Sequence, residues 1–120
     1  MSKRTLVLGA SDHTNRYSYL AVHRLVSRGH PVVAIGLKPA MVHGVPIQTG
    51  LPEVDAIHTV TLYINPLRQP AYYQYIIGLA PRRVIFNPGT ENDDFAEMLA
   101  QNGIEALEAC TLVMLSTGIY

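Results

Sequence analysis

The chain has no tryptophan, only two phenylalanines and a single cysteine, Cys110. One cysteine excludes any disulfide within the chain and fits a reducing compartment. The five histidines, His13, His23, His30, His43 and His58, show no ligand spacing, so no zinc motif is present in the sequence. Charge is scarce as well: Asp, Glu, Lys and Arg make up 15% of the residues, against about 25% in typical soluble domains. Lys plus Arg equals Asp plus Glu, nine of each, and the charges are scattered. That balance removes any broad attraction to nucleic acid or to an anionic membrane, while a local phosphate site stays open. No apolar run approaches the roughly 20 residues of a membrane span. Met1-Ser2-Lys3-Arg4 leads into a strand without the long apolar region of a signal peptide, and the expectation is a cytoplasmic protein. Repeats, linkers and low-complexity segments are also lacking.

What the chain does have is apolar residues, 48% of its 120. This length suits one domain with a proper core. With so little charge, either the core is generous or part of the surface meets a second subunit, and a homodimer is one expectation.

The apolar residues fall in a regular order. Thr5-Leu6-Val7-Leu8 is a short continuous run ending at Gly9, the pattern of a parallel strand buried on both faces. From Arg16, residues Tyr17, Ala21 and Leu25 recur at helical spacing, Val22 and Val26 widen the stripe, and Gly29 is a stop signal. Pro31 to Gly36 reads as the second strand. Val45-Pro46-Ile47 reads as a short third one near an edge, where proline is tolerated. Ala56 to Ile64 reads as the next strand, and Asn65-Pro66 as a helix start with Asn at the cap and Pro at the first position. Pro70 interrupts that helix, which either kinks or begins near Gln69. Arg83 to Phe86 is a further strand. Phe95, Met98 and Leu99 then mark a helix ending at Asn102-Gly103, before a short strand at Ile104 to Leu107 and an apolar tail, Cys110 to Leu115, read as a last turn of helix. Alternating short strands and helices predict an α/β fold: a doubly wound, mostly parallel, Rossmann-like sheet flanked by helices.

Ligands of such sheets sit beyond the carboxyl ends of the strands, where strand order reverses. The loops expected there are Gly9 to Arg16, Ile64-Asn65-Pro66 and Asn87 to Glu91. The first, Gly9-Ala10-Ser11-Asp12-His13-Thr14-Asn15-Arg16, precedes a helix, so its backbone amides face an anion, Ser11 and Asn15 add polar groups, and Arg16 can pair with phosphate. It lacks the second and third glycines of the dinucleotide fingerprint, and the plain alternative is a capped turn with a surface arginine. After the second strand the chain reads Gly36-Leu37-Lys38-Pro39, with no acid for the ribose hydroxyls of NAD. A lysine there favours an extra phosphate on the ribose, as in coenzyme A or NADP; the plain alternative is a solvated lysine. In Asn87-Pro88-Gly89-Thr90-Glu91, proline stiffens the turn and glycine allows close approach, whereas the acids Glu91, Asp93 and Asp94 repel phosphate. This turn suits a neutral part of a ligand.

The segments "LVLGAS....NRYSY", "VTLYINP", "RVIFNPGTEN" and "GIEALEACTLVML" together resemble the small stand-alone CoA-binding proteins, which are similar to the CoA-binding domain of succinyl-CoA synthetase. The resemblance covers nearly the whole chain. It implies a Rossmann-like domain that binds coenzyme A or an acyl-CoA, with no established reaction in the stand-alone members. Carried over by position, the candidate ligand residues are Gly9, Ala10, Ser11, Asn15, Arg16 and Tyr17 in the first loop, and Gly36 and Lys38 in the second. Tyr63, Ile64, Asn65 and Pro66 follow in the third, and Asn87, Pro88, Gly89, Thr90 and Glu91 in the fourth. Pro70 is a departure from the family pattern.

Three features carry two readings each. Cys110, between apolar residues, is expected as a small buried hydrophobe, with a redox partnership to a thiol ligand as the alternative. Tyr72, Tyr73 and Tyr75 make an aromatic-rich segment that is either core or dimer contact. For the whole chain, the leading expectation is a ligand-binding module that carries, senses or presents a CoA-type molecule. The alternatives are an NADP-dependent or thiol-transfer enzyme, or an interaction subunit with a vestigial cleft.

Overall fold

The computed structural model describes residues 2–120. In it the chain runs β1 Thr5–Ala10, α1 Tyr17–Ser27, β2 Val32–Gly36, β3 Ala40–Val42, β4 Val45–Gln48, β5 Thr59–Leu62, α2 Tyr73–Leu79, β6 Arg83–Phe86, α3 Asp93–Gln101, β7 Glu105–Glu108 and α4 Thr111–Thr117. The strands form one sheet in the order β3-β4-β2-β1-β5-β6-β7. Every neighbouring pair is parallel except β3 with β4. This is the single-domain, doubly wound α/β architecture expected from the alternation of elements.

Period-two alternation in strands that have no wet face sorts their residues into two core layers. Leu6 and Leu8 of β1, Val60 and Leu62 of β5, and Val84 and Phe86 of β6 pack with Ile76 of α2 and with Phe95 and Leu99 of α3. The intervening Val7, Ala34 and Ile85 pack on the other face with Val22 and Leu25 of α1 and with Met114 and Leu115 of α4. Burial of each such Leu, Ile or Phe side chain contributes about 1.5–3 kcal/mol over leaving it in water. Tyr72, Tyr73 and Tyr75 pack against the first layer. The Tyr73 ring stacks on Phe95 at 4.3 Å between centroids, so the aromatic segment belongs to the core.

Four sequence expectations change. The strand at Val45–Gln48 is near the edge as expected but is the fourth rather than the third: a two-residue turn at His43 and Gly44, both with positive φ (49° and 81°), folds Ala40–Val42 back onto it as the edge strand β3. Pro46 is tolerated in the resulting interior strand because pairing with β2 begins only at Ile47. The strand read from Ala56 to Ile64 shrinks to Thr59–Leu62, since Ala56 adopts a left-handed φ of 54° that ends extended structure on its side. After Asn65 come two separate 3-10 turns, Pro66–Arg68 and Pro70–Tyr72, and α2 starts only at Tyr73. Pro70, which has no N–H to give, is the first residue of the second turn. Finally, Cys110 is half-buried rather than buried and occupies the position just before α4.

Gly36 shows how tightly the sheet is built at its centre. The β1–β2 register shifts between Leu8 and Ala10, so that Ala10 pairs with Gly36. A Cβ on Gly36 would collide with the Ala10 carbonyl oxygen and come within 2.9 Å of a methyl of Ile47. Gly36→Ala is therefore expected to destabilise the protein by about 2 kcal/mol or more. Gly78→Ala, in α2 with open space around it, should instead stabilise by about 0.5–1 kcal/mol. Denaturant unfolding of both variants checks the pair; equal effects would contradict the packing argument.

At the opposite end of the sheet, partial burial first, then Lys3 and Arg83, lowers the pKa of His30 and of His58 below the ordinary 6.5. The unfolded chain then binds these protons more readily than the native one, so stability is full above 6.5 and declines as pH falls below it. The melting temperature should drop between about pH 7.5 and about pH 5.5, and less so in the double variant His30→Asn, His58→Asn. A melting temperature that holds or rises on acidification would contradict this assignment.

Candidate functional site

Strand order reverses between β1 and β5. From β1 the chain crosses to β2, and from the β3–β4 hairpin it returns to lay β5 on the far side of β1. A cleft of about 490 Å³ opens there, at the carboxyl ends of the parallel strands. Four loops wall it. They do so in the order of their strands: Leu37 and Lys38 after β2, the Gly9–Ser18 segment after β1, Tyr63–Arg68 after β5, and Pro88–Thr90 after β6.

The first loop is pressed against the third. Gly9 has φ 95°, and a Cβ there would lie 2.8 Å from the Tyr63 carbonyl oxygen. Beside it the Tyr63 N–H donates to the Leu8 carbonyl at 2.8 Å. Gly9 thus serves close approach of two protein backbones at the floor of the cleft. Further along, the His13 N–H donates to Ser11 Oγ at 3.1 Å and the Arg16 N–H to the His13 carbonyl at 3.1 Å, which curl the loop into the start of α1. No side chain caps α1 and no acid stands in its first turn. Its first N–H groups are left with the partial positive charge that favours an anion.

The fourth loop is set by Asn87, which is buried. Its Nδ2 donates to Thr61 Oγ1 at 2.7 Å and to the Leu62 carbonyl at 2.9 Å, while its Oδ1 accepts the Thr111 N–H at 2.9 Å. The Asn87 carbonyl accepts both the N–H and the hydroxyl of Thr90. Gly89 turns with φ 91° and open space about its Cα, so glycine is needed here for the dihedral. The Glu91 carboxylate accepts the Gly89 N–H at 2.9 Å. Third and fourth loops are joined by buried Gln69, whose Nε2 donates to the carbonyls of Ile64 and Thr90, and by Asn92, whose Nδ2 donates to Gln69 Oε1 and to the Tyr73 hydroxyl.

Of the residues singled out in the sequence, Gly9, Ala10, Ser11, Arg16, Tyr17, Lys38, Tyr63, Ile64, Asn65, Pro88, Gly89 and Thr90 come together around the cleft. Asn15, Gly36, Pro66, Asn87 and Glu91 are not among its lining: Gly36 and Asn87 are held by internal packing and hydrogen bonds, and the Glu91 carboxylate faces the Gly89 amide. Sequence reasoning left out Asp12, Ser18, Leu37 and Arg68, and noted His13 only as a loop residue. Arg68 had a signal. In a 3-10 turn residues three apart eclipse, so a cap at Asn65 places residue 68 on the same side.

The electrostatics are uneven. The one close contact between acid and base among the described residues is Asp12 with His13, at 3.9 Å. Arg16, Lys38 and Arg68 therefore face the cleft without a carboxylate partner. Among the described residues the buried Tyr63 hydroxyl has no hydrogen-bond partner, and burial pushes its pKa well above the ordinary 10.0. Cys110 does not line the cleft.

A sequence profile described as a CoA binding domain matches residues 3–116. The chain belongs to the CoA-binding domain family. It is similar to an uncharacterized protein of known crystal structure, with 52% identity and a TM-score of 0.97 over 100% of this chain and 99% of the other. It also superimposes on a hypothetical protein from Pyrococcus horikoshii OT3, with 21% identity, a TM-score of 0.87, and 97% and 83% of the two chains covered. A Thermus thermophilus structure gives 18% identity, a TM-score of 0.85, and coverage of 99% and 91%. These two distant likenesses show the shared fold. No curated protein matches the chain. Among the described residues of this CoA-binding domain, no helix is long and apolar enough to cross a membrane.

Removing the Asn87 side chain would leave the Thr111 N–H and the Leu62 carbonyl without its bonds inside the protein. Asn87→Ala is expected to cost about 3 kcal/mol of stability, because unsatisfied buried groups cost about 1–3 kcal/mol each. Urea unfolding measures it, and a loss below about 1 kcal/mol would show that the loop has other supports.

Proposed function

We propose that this chain binds coenzyme A or an acyl-CoA in the cleft at the carboxyl ends of β1, β2, β5 and β6, and that it carries, senses or presents that ligand. The observation that carries the reading is the set of cleft cations, Arg16, Lys38 and Arg68, with no carboxylate partner among the described residues. A ligand with several phosphates supplies the missing negative charge. The start of α1 and Arg16 suit the diphosphate, Lys38 at the β2 end suits the ribose 3′-phosphate, and the polar, neutral walls at Asn65 and Pro88–Thr90 suit the pantetheine arm. A binding role fits better than thiol transfer, because Cys110 lies outside the lining. The lone cysteine accords with a reducing, cytoplasmic setting.

The test compares ligands that differ by one phosphate. CoA should raise the melting temperature more than NAD does, since the β2 end offers Lys38 where NAD wants a carboxylate. Lys38→Ala should weaken CoA by roughly five- to thirtyfold, with far less effect on dephospho-CoA and little change in fold stability. Titrating both ligands against both proteins isolates the coupling. Equal weakening of the two ligands would remove Lys38 from the 3′-phosphate, and a larger response to NADP than to CoA would favour the oxidoreductase reading.

A further inference from the structure

His23 and His43 are 20 residues apart in the sequence and follow no ligand motif, yet the fold sets their Nδ1 atoms 3.2 Å apart. His23 stands on the exposed side of α1, and His43 opens the two-residue turn between β3 and β4. Val42, just before it, packs with Val22 and Leu25 of α1, so the turn arrives over that helix. The Tyr19 ring, one helical turn before His23, lies 5.2 Å from the His43 ring and limits where that ring can turn. The two imidazole centroids are 4.1 Å apart at 50°. Centroids so little farther apart than the nitrogens mean rings that lie side by side, with both Nδ1 atoms at one edge.

That edge has the dimensions of a chelate. Two nitrogens held by one tetrahedral zinc ion, each about 2.0–2.1 Å from it, are about 3.3 Å apart. Among the described residues neither imidazole has another hydrogen-bond partner, and no carboxylate stands within ion-pair distance of either. The proton shared by the two Nδ1 atoms can move to Nε2 of the ring that gives it, which leaves both Nδ1 lone pairs to an ion and changes no net charge on the protein. Among the described residues no third His, Cys, Asp or Glu joins the pair, so water completes the coordination. Imidazole suits zinc and nickel, whereas magnesium and calcium require oxygen ligands.

We propose that His23 and His43 form a two-imidazole site for a divalent transition-metal ion, Zn²⁺ or Ni²⁺, that clamps the β3–β4 hairpin to α1. Neither residue lines the cleft, so the site stands independently of the CoA reading. Each ion is titrated into metal-free native protein, followed by melting temperature and by the imidazole NMR signals. Ni²⁺ and Zn²⁺ should raise the melting temperature in a saturable way, because the two ligands are brought together only in the folded chain; EDTA should cancel the rise and Mg²⁺ should give none. Paramagnetic Ni²⁺ should broaden the signals of His23 and His43 ahead of those of His13, His30 and His58. His23→Gln keeps a good helix former and His43→Asn suits the positive φ. Each should weaken Ni²⁺ at least about tenfold, since one imidazole alone loses the effective concentration of the second. Absence of saturable binding by the native protein overturns the proposal. Broadening centred on other histidines also overturns it, as does weakening in fewer than both variants, because the ion would then not be held by the pair.

Discussion

The side chain of Asn87, together with the Thr61 hydroxyl that bonds both it and the Thr111 hydroxyl, ties β5, the end of β6 and the start of α4 to one another. Its amide reaches back to Thr61 and Leu62 of β5 and forward to the first residue of α4, while the main-chain carbonyl of Asn87 accepts from Thr90. Because each bond is buried, none competes with water, and breaking one leaves a partner unsatisfied. The consequence for the cleft is indirect but decisive. Pro88, Gly89 and Thr90 wall it at fixed positions because the residue before them is locked into the sheet. Thr90 in turn offers its carbonyl to Gln69, and through Gln69 the same order passes to the loop carrying Asn65 and Arg68.

Two glycines of the upper sheet illustrate a second constraint. Gly9 and Gly36 are adjacent in sequence to loops that touch a ligand in the expected pattern, yet their missing side chains make room for protein. Gly9 admits the Tyr63 carbonyl, and Gly36 admits that of Ala10. Backbone brought this close gives the cleft a floor made of main chain, which does not change rotamer and does not shrink when the cleft is empty. Gly89 differs, since no neighbour crowds it and only its dihedral demands glycine. The same residue type therefore answers two different local requirements, room for a neighbouring carbonyl and a positive φ, and sequence alone cannot separate them.

Much of the architecture was legible in the chain because both faces of the sheet are covered. Continuous apolar runs such as Thr5 to Leu8 and Arg83 to Phe86 could belong to little else, and Asn102-Gly103 and Gly29 closed their helices where expected. The failures have local causes. β3 is three residues long and depends on a turn in which His43 as well as Gly44 takes positive φ, a conformation uncommon for any residue but glycine, so its sequence carries no strand pattern. Ala56 likewise adopts a left-handed conformation that alanine does not advertise. Within the cleft, loop membership could be read but side-chain direction could not. Asn87 and Thr90 belong to one short turn, yet only the latter lines the cleft, because the former faces three buried partners that are distant in sequence.

Scarcity of charge gives the last step. Of nine Lys and Arg residues, three line a single cleft, and none of the three is within ion-pair distance of a carboxylate among the described residues. In a highly charged protein such a grouping would mean little, since neighbours of both signs would screen it. Here the fold gathers them from separate loops after β1, β2 and β5, on three strands that parallel pairing forces to end at the same level. Their mutual repulsion is borne by rigid supports, the start of α1 for Arg16 and the double-proline turn for Arg68. Folding thus fixes where the backbone of each cation stands, while the exposed side chains, which have no hydrogen-bond partner among the described residues, are ordered only when an anion arrives.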